Sequence, residues 1–533
     1  MTEIRKLKIS GMSCVHCEKT LAKALGKVLG VDSIERVSWE NNEAIIRISD
    51  GVSQDDLSKQ VKKAGYRLEK VSTLSDPGQI NENPEFDVVI IGGGSAGFSA
   101  AIKAAELGKR AALIESGTIG GTCVNIGCVP SKFIIGEAFS GNSWEKIKAD
   151  RDKLVAMLQY EKYQNVLESY SGNITYIHET ASFINKDSIR LSNGRIITGG
   201  KYILTTGSKP QFPEISGISE IDPLDSTGLL FIEELPESLL IVGGRFIALE
   251  LGQVFSNLGV KVTILQRSSR LIPQYDPIIS ETIEQIFLSQ GIKVITGTKL
   301  LSASKKGNKK ILRYKVQSEE REVSGDQILF STGRSGNIES LNLAAAEVKL
   351  DSSKHIVTDA FLRTSNPKIF AAGDVLDTPG LVYVAAKEGQ TALRNALSKE
   401  PHVLDYNAVP EVIFTRPQIA RVGVSEKDAV AKNIPVSTTS FSIADTPYGL
   451  VNNDKKGVVK LIKNIDSGQL IGAEIIASDA GNMIQSVTIA IKAGMTIEDL
   501  IDTYFPYLTA VEGIKLGAII FGKDVHKLSC CAS

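Results

Sequence analysis

Two periods of hydrophobic residues organise the first 71 positions. Apolar and polar residues alternate at 6–9, 34–39, 43–48 and 66–71, which predicts four short strands. Residues 17–29 carry apolar positions at helical spacing, after a loop at 10–13. Asn41 and Asn42 supply the turn between the second and third strands. Ser53, followed three residues later by Asp56, predicts the start of a second helix that stops before Gly65. The order is βαββαβ.

The pattern then breaks. Residues 72–85 are polar and interrupted by Pro77, Gly78 and Pro84, as a linker is. At 87–91 a buried-strand pattern runs into Gly92-Gly93-Gly94-Ser95-Ala96-Gly97, a helix to Leu107 and a strand at 110–114. The same plan returns as a strand at 239–242, a turn at 243–248, a helix at 249–258 and a strand at 261–265. From about residue 407 longer strands and two helices are expected. The predicted fold class is α/β: two Rossmann-like domains and an α+β C-terminal domain, preceded by a ferredoxin-like βαββαβ unit. The expected divisions are 1–71, a linker at 72–85, a first nucleotide domain at 86–222 resumed at 345–406, a second at 223–344, and 407–533.

Length agrees with this partition, since 533 residues correspond to about three or four domains. Apolar residues at 42% and charged residues at 23% exclude a mainly disordered chain. Sixty basic against 61 acidic residues leave no net field for nucleic acid. No apolar run is long enough to span a bilayer. Met1-Thr2-Glu3-Ile4-Arg5-Lys6 lacks the apolar core of a secretion signal, so the expected compartment is the cytoplasm, where thiols stay reduced.

The six cysteines fall into three close pairs, Cys14/Cys17, Cys123/Cys128 and Cys530/Cys531. In a reducing compartment, pairs with no singleton point to metal binding or redox chemistry. Adjacent residues such as Cys530 and Cys531 have Cα atoms about 3.8 Å apart, below the usual disulfide span of roughly 4.4–6.8 Å. Two such thiolates suit a soft metal ion better.

Gly92, Gly94 and Gly97 form a complete G-x-G-x-x-G turn, with Ala96 inside it. The first glycine permits the turn, the second the approach of a pyrophosphate, the third close helix–strand packing. Glu115, 18 residues after Gly97, stands where an acid would hold a ribose. The second unit has Gly243 and Ala248 at the outer positions but Arg245 in the middle, where a side chain crowds a pyrophosphate unless it swings away or contacts it. Gln266 replaces the acid, and Arg267 and Arg270 follow. That substitution favours a 2′-phosphate, hence NADPH over NADH.

Between the two units runs Gly120-Gly121-Thr122-Cys123-Val124-Asn125-Ile126-Gly127-Cys128-Val129-Pro130-Ser131-Lys132. This segment resembles the redox-active stretch of the flavoprotein pyridine nucleotide–disulfide oxidoreductases. The resemblance extends to Thr205-Thr206-Gly207, Ser331-Thr332-Gly333-Arg334 and Phe370-Ala371-Ala372-Gly373-Asp374. It implies FAD in the first site and a nicotinamide nucleotide in the second. It also implies that Thr122, Gly207 and Gly333 are cofactor-site positions. Glu115 would hold the FAD ribose and Asp374 the ribityl or pyrophosphate region. Lys132 would pair with Glu250 near the flavin, Phe246 would cover the nicotinamide pocket, and Cys128 would be the thiol against the ring.

Disulfide-reducing members carry a C-terminal His-Pro acid–base, followed by a Glu that orients the His. Here Phe505-Pro506-Tyr507 stands in that place, with Glu512 downstream, and none of the five histidines falls there. Gly11-Met12-Ser13-Cys14-Val15-His16-Cys17 resembles the soft-metal loop of metal chaperones and metal-transporting ATPases. A thioredoxin-like C-x-x-C is the competing reading, disfavoured by the βαββαβ order. A structural zinc site would need two further ligands.

Taken together, these features are similar to the branch of the family that reduces mercury(II). Tyr383 and Tyr507 match its substrate-site tyrosines. The expectation is an NADPH- and FAD-dependent homodimer acting on Hg(II) delivered as a thiol complex. The metal would pass from Cys530 and Cys531 to Cys123 and Cys128 of the other subunit. Two alternatives stay open: a flavin disulfide reductase with an accessory metal domain, and a metal carrier on a degenerate flavoprotein body.

Overall fold

The computed structural model of the chain describes residues 3–12, 15–39, 41–49, 51–74 and 84–524. Cys14, Cys530 and Cys531 lie outside the described residues, as does most of the predicted linker. The N-terminal unit pairs its four strands antiparallel, in the order Val31–Ser38, Glu43–Ile48, Glu3–Ser10, Arg67–Leu74. Helices Val15–Leu25 and Gln54–Lys63 cover one face, around the fully buried Leu7, Ile9, Leu21, Leu25, Leu57 and Val61. Ser53 caps the second helix by accepting the Asp56 N–H at 3.1 Å. The first helix stops at Leu25, four residues short of the periodicity, because Gly26 and Gly30 bracket a turn. Leu29, which the period places on the helix, is 96% exposed.

The first nucleotide domain is built on parallel strands in the order Ile174–His178, Ala111–Glu115, Phe86–Ile91, Ile196–Leu204. Strand Ile369–Ala371 adds parallel to Ile196–Leu204, so the chain returns to complete this sheet after building the second domain. Helix Ser95–Glu106 lies against helix Val382–Leu397 so closely that a Cβ on Gly389 would fall 2.0 Å from the Ala96 carbonyl oxygen.

The second domain repeats the plan with parallel strands Lys293–Ile295, Lys261–Leu265, Ser238–Val242 and Gln327–Phe330. Its helix Phe246–Asn257 begins three residues earlier than the pattern predicts. The C-terminal domain is a five-stranded antiparallel sheet in the order Glu411–Ile413, Gln418–Gly423, Leu470–Ala477, Val458–Asn464, Val436–Ser442. In one row across this sheet, Glu411, Arg421, Glu474 and Lys460 lie opposite one another on successive strands. Helices Ala480–Ala493, Ile497–Asp502 and Glu512–Ile519 pack here, with two short helices, Glu426–Ala431 and Pro447–Val451. Among the described residues, five α-helices therefore stand where two are predicted. The short ones span too little chain to show a period and are set by their caps, Ser425 and Thr446.

One apolar core joins three parts of the chain. Ile134 and Trp144 from the helices after the cysteines, Phe255 and Ile283 from the second domain, and Ile413 and Ile476 from the C-terminal sheet belong to it. That shared core fixes the thiol segment against the other two domains.

Candidate active site

Cys123 lies in helix Gly121–Ile126, and Cys128 opens helix Cys128–Glu137. Gly127 links them with an extended, turned backbone (φ −131°, ψ −108°), and a Cβ there would come within 2.8 Å of the Thr122 carbonyl oxygen. Asn125 steadies the first helix from below. Its Nδ2 donates to the carbonyls of Ile119 at 3.0 Å and Gly121 at 2.9 Å, and its Oδ1 accepts from Gln159.

The two thiols are not equivalent. Cys128 is exposed and Cys123 half-buried, and both are reduced. A hydrogen bond from Cys123 lowers the Cys128 pKa to about 7; the Lys132 charge helps and burial opposes. The same hydrogen bond, together with burial, pushes Cys123 up. Cys128 is therefore the thiolate and Cys123 its proton-bearing partner.

Lys132, one turn after Cys128, meets Glu250 at 2.6 Å. Glu250 is 6% exposed, and its other oxygen accepts the Phe414 N–H at 2.9 Å. The Lys132 ammonium also lies 4.9 Å from the centre of the Phe414 ring. Buried Gln253, one turn along the same helix as Glu250, holds Arg416 through both its backbone groups, at 2.7 and 2.8 Å. The thiol helix, the second nucleotide domain and the C-terminal domain thus converge on one ion pair.

A phenol that sequence reasoning missed lies within electrostatic reach of the thiols. Tyr163 sits in the π-helical turn Tyr160–Gln164, a geometry that recurs at functional sites. Its pKa is raised by burial and then by the charges of Cys123 and Cys128. Its ring packs edge-on to Phe98 at 4.8 Å, and both line a cleft of about 310 Å³ shared with Tyr383. Tyr383 donates to the Pro410 carbonyl, and its pKa is pushed up to about 12 by burial and by Glu411. Tyr507 is 57% exposed. The only sequence signal for Tyr163 is the run of Tyr160, Tyr163 and Tyr170, whose spacing shares one helical face and so reads as ordinary helix packing.

The glycine turns fit nucleotides. In the first, Gly92 has φ +110°, and a Cβ would meet the Thr205 carbonyl oxygen at 2.3 Å. A Cβ on Gly97 would lie 1.8 Å from the Gly92 carbonyl oxygen. A Cβ on Gly94 would meet only the Gly121 Cα, at 3.8 Å, which is the room a pyrophosphate needs. Ala96, 5% exposed, packs inward between the two helices. Glu115 ends its strand accepting the N–H of Gly93 at 2.6 Å and of Gly117 at 2.7 Å. A cleft of about 830 Å³ beside it is lined by Gly117, Tyr176 and His178, and suits the adenosine half of FAD. Thr122 is exposed beside Cys123. Gly207 has φ +69°, and Asp374 accepts from Ser208 Oγ at 3.3 Å.

In the second turn Gly243 has φ +127°, and a Cβ would sit 2.4 Å from Ser331 Oγ. Gly333 also has positive φ, +130°. Arg245 has an extended backbone (φ −115°) that any residue adopts, and its side chain is exposed. Phe246 is half-buried at the helix start and Ala248 fully buried behind it. Gln266 packs on Gly244 much as Glu115 packs on Gly93. Of the two arginines, Arg267 is exposed, whereas Arg270 donates to the carbonyls of Pro273 at 3.3 Å and Tyr275 at 3.0 Å.

In the C-terminal segment Phe505 packs on the domain core. Glu512 accepts backbone N–H groups of Tyr448 at 2.6 Å and Leu508 at 3.2 Å. The acid there serves the backbone and orients no imidazole. In the N-terminal unit Cys17 is half-buried in the first turn of its helix, after the buried Met12.

Known proteins share this architecture. Residues 86–389 match the pyridine nucleotide-disulphide oxidoreductase family, and residues 409–518 match that family's dimerisation domain. A mercuric reductase of Staphylococcus aureus is 41% identical, with 99% of each chain covered. One from Shigella flexneri is 37% identical with the same coverage. Among solved structures, an HOCl-induced flavoprotein disulfide reductase of Escherichia coli superposes with a TM-score of 0.76 at 30% identity, over 81% of this chain and 99% of its own. No helix among the described residues is long and apolar enough to cross a membrane. The chain belongs to the pyridine nucleotide-disulphide oxidoreductases and, within them, to the mercuric reductase family.

Proposed function

We propose that the protein reduces mercury(II) to elemental mercury, with NADPH as the electron source and FAD as the carrier. The overall balance is NADPH plus Hg(II) giving NADP⁺, a proton and Hg(0). The observation that carries this reading is the pairing of a dithiol whose Cys128 is acidic with an aromatic residue, Phe505, where a proton donor would have to stand. Such a site holds a soft cation well and has no C-terminal acid–base to protonate the thiolate leaving a disulfide.

Gly92, Gly94, Gly97, Glu115 and Asp374 would hold FAD. Gly243, Ala248 and Arg267 would hold NADPH. Bound FAD supplies two-electron transfer between the nicotinamide and the thiol site. Cys128, already ionised near neutral pH, attacks a thiol-bound Hg(II) first. Cys128 displaces one thiolate from the metal, and Cys123 then gives its proton to the second departing thiolate and becomes the second ligand. Linear coordination by two thiolates lets the ion move by exchange, without passing through a free aquo ion. Lys132 balances the thiolate charge, and Glu250 fixes the ammonium. Tyr163 offers a hydroxyl within electrostatic reach of the sulfurs. Cys530 and Cys531 would capture the ion and pass it to the partner subunit's dithiol, and Cys14 and Cys17 would gather it from solution.

The test is anaerobic oxidation of NADPH with HgCl₂ and excess thiol, with the volatile metal collected. Mercury-dependent oxidation with release of metal supports the assignment. NADPH oxidation with common disulfides, and none with mercury, would instead establish the disulfide reductase that the structural relative's name suggests.

A further inference from the structure

The charge row across the C-terminal sheet is buried under the second nucleotide domain. Glu474 is 2% exposed and Lys460 5%. Arg421 grips Glu411 through both carboxylate oxygens, at 2.9 and 3.0 Å. The strap of chain at 267–276 lies on this row. The Asp276 N–H donates to Glu474 Oε2 at 2.7 Å, and the Asp276 carboxylate pairs with Lys460, which also meets Glu426. Arg421 donates to the Gln274 carbonyl at 3.3 Å and stands 4.9 Å from the centre of the Tyr275 ring.

The strap's other end carries Arg267 and Arg270. Arg270 clasps the Pro273 and Tyr275 carbonyls, and the Ile272 N–H donates to the Gly244 carbonyl at 2.8 Å, so the strap ties Asp276 to the second glycine turn. Arg270 Nε, Gln274 Oε1 and the Tyr275 hydroxyl are buried without a hydrogen-bond partner. Leu271 and Ile272 anchor the middle of the strap, fully buried, whereas these three polar groups gain no bond from their burial and its Gln274–Asp276 end is bonded to the row beneath it.

The row is unbalanced. Glu474 shares its surroundings with the carboxylates of Glu411, Asp276 and Glu426, against the two cations Arg421 and Lys460. The phenols of Tyr275 and, beyond it, Tyr383 add no positive charge. Burial, with Asp276, pushes the Glu474 carboxyl from its ordinary 4.5 up to about 7; the Asp276 N–H, Arg421 and Lys460 pull the other way. A carboxyl raised in the docked state favours docking most when protonated. That favour is complete below about pH 4.5 and is lost as pH rises to about 7.

We infer that Glu474 is a proton-linked positioning residue for the second nucleotide site: its ionisation loosens the 267–276 strap and weakens nucleotide binding. The test is the affinity of the full-length protein for NADP⁺, wild type against Glu474→Gln, at about pH 5 and about pH 8. Glutamine keeps an oxygen for the Asp276 N–H and cannot ionise. The variant should bind at least about threefold tighter than wild type at the higher pH and equally at the lower. Comparing the two proteins at each pH cancels the titration of the 2′-phosphate itself. The same ratio at both pH values overturns the inference. So does a pH-dependent gain in melting temperature with no change in affinity, which would leave Glu474 a purely structural group. If wild type binds no NADP⁺ at either pH, the NADPH reading fails by itself, and the same comparison with NAD⁺ decides the role of Glu474.

Discussion

Cys128 and Cys123 differ only in what surrounds them, yet one is acid and the other is not. Alkylation of the reduced protein should rise with pH about a midpoint near 7, from Cys128, and Lys132→Met should move that midpoint upward. A midpoint unmoved by the substitution, followed by iodoacetamide kinetics and peptide mapping, would remove Lys132 from the account. Tyr163→Phe, which removes a hydroxyl from the cleft shared with Tyr383, should lower mercury-dependent turnover by about threefold while leaving flavin reduction by NADPH intact in stopped flow. The cysteine pairs and Glu115 were legible in the chain because their spacing carries the chemistry, and the Lys132–Glu250 pair was legible through the family resemblance. Tyr163 was not. Its position depends on a π-turn, and no sequence period encodes the single extra residue that such a turn inserts. Phe414 and Gln253 were invisible for a different reason. Each acts through a contact with chain more than 160 residues distant.

The two glycine turns show how an element tolerates or refuses a side chain. Gly97→Ala would set a methyl 1.8 Å from the Gly92 oxygen, and should cost more than about 3 kcal/mol and leave the protein without bound flavin. Arg245 breaks the same motif in the second unit, and from sequence alone it reads as an obstacle. Its backbone is extended and its side chain exposed, so the turn needs no glycine there. Arg245→Gly should change NADP⁺ affinity by less than about threefold, whereas Arg267→Ala should weaken it by about tenfold or more, as measured by titration. The βαβ units were predictable because strand, turn and helix each leave a local signature. The C-terminal domain was read less completely. Its short helices start at Ser425 and Thr446 caps and are too brief to reveal a period, and its strand order joins residues far apart in the chain. The early end of the first helix follows from Gly26 and Gly30, whose effect outweighs the apolar spacing of Val28 and Leu29.

For the whole molecule, the match of residues 409–518 to a dimerisation domain makes a homodimer the working assembly. If each tail serves its partner's site, subunits carrying Cys128→Ser and subunits carrying Cys530→Ala with Cys531→Ala should complement each other. Mixed and re-annealed, they should recover about a quarter of wild-type turnover on mercury bound to a bulky thiol, since half the dimers carry one complete site. No recovery would place the tail at its own subunit's thiols. The row of charges in the C-terminal sheet has a consequence for how that domain is assembled. Strands Gln418–Gly423 and Leu470–Ala477 are otherwise uncharged, and each holds a single ionic residue, Arg421 and Glu474. Sliding one past the other by two residues would keep every side chain on its proper face and preserve the apolar packing. It would also set Arg421 against Gly472 or Ile476 and take from the buried Glu474 one of the two cations that face it. The facing charges thus act as a key that rejects the near-miss alignments which hydrophobic strands alone would accept.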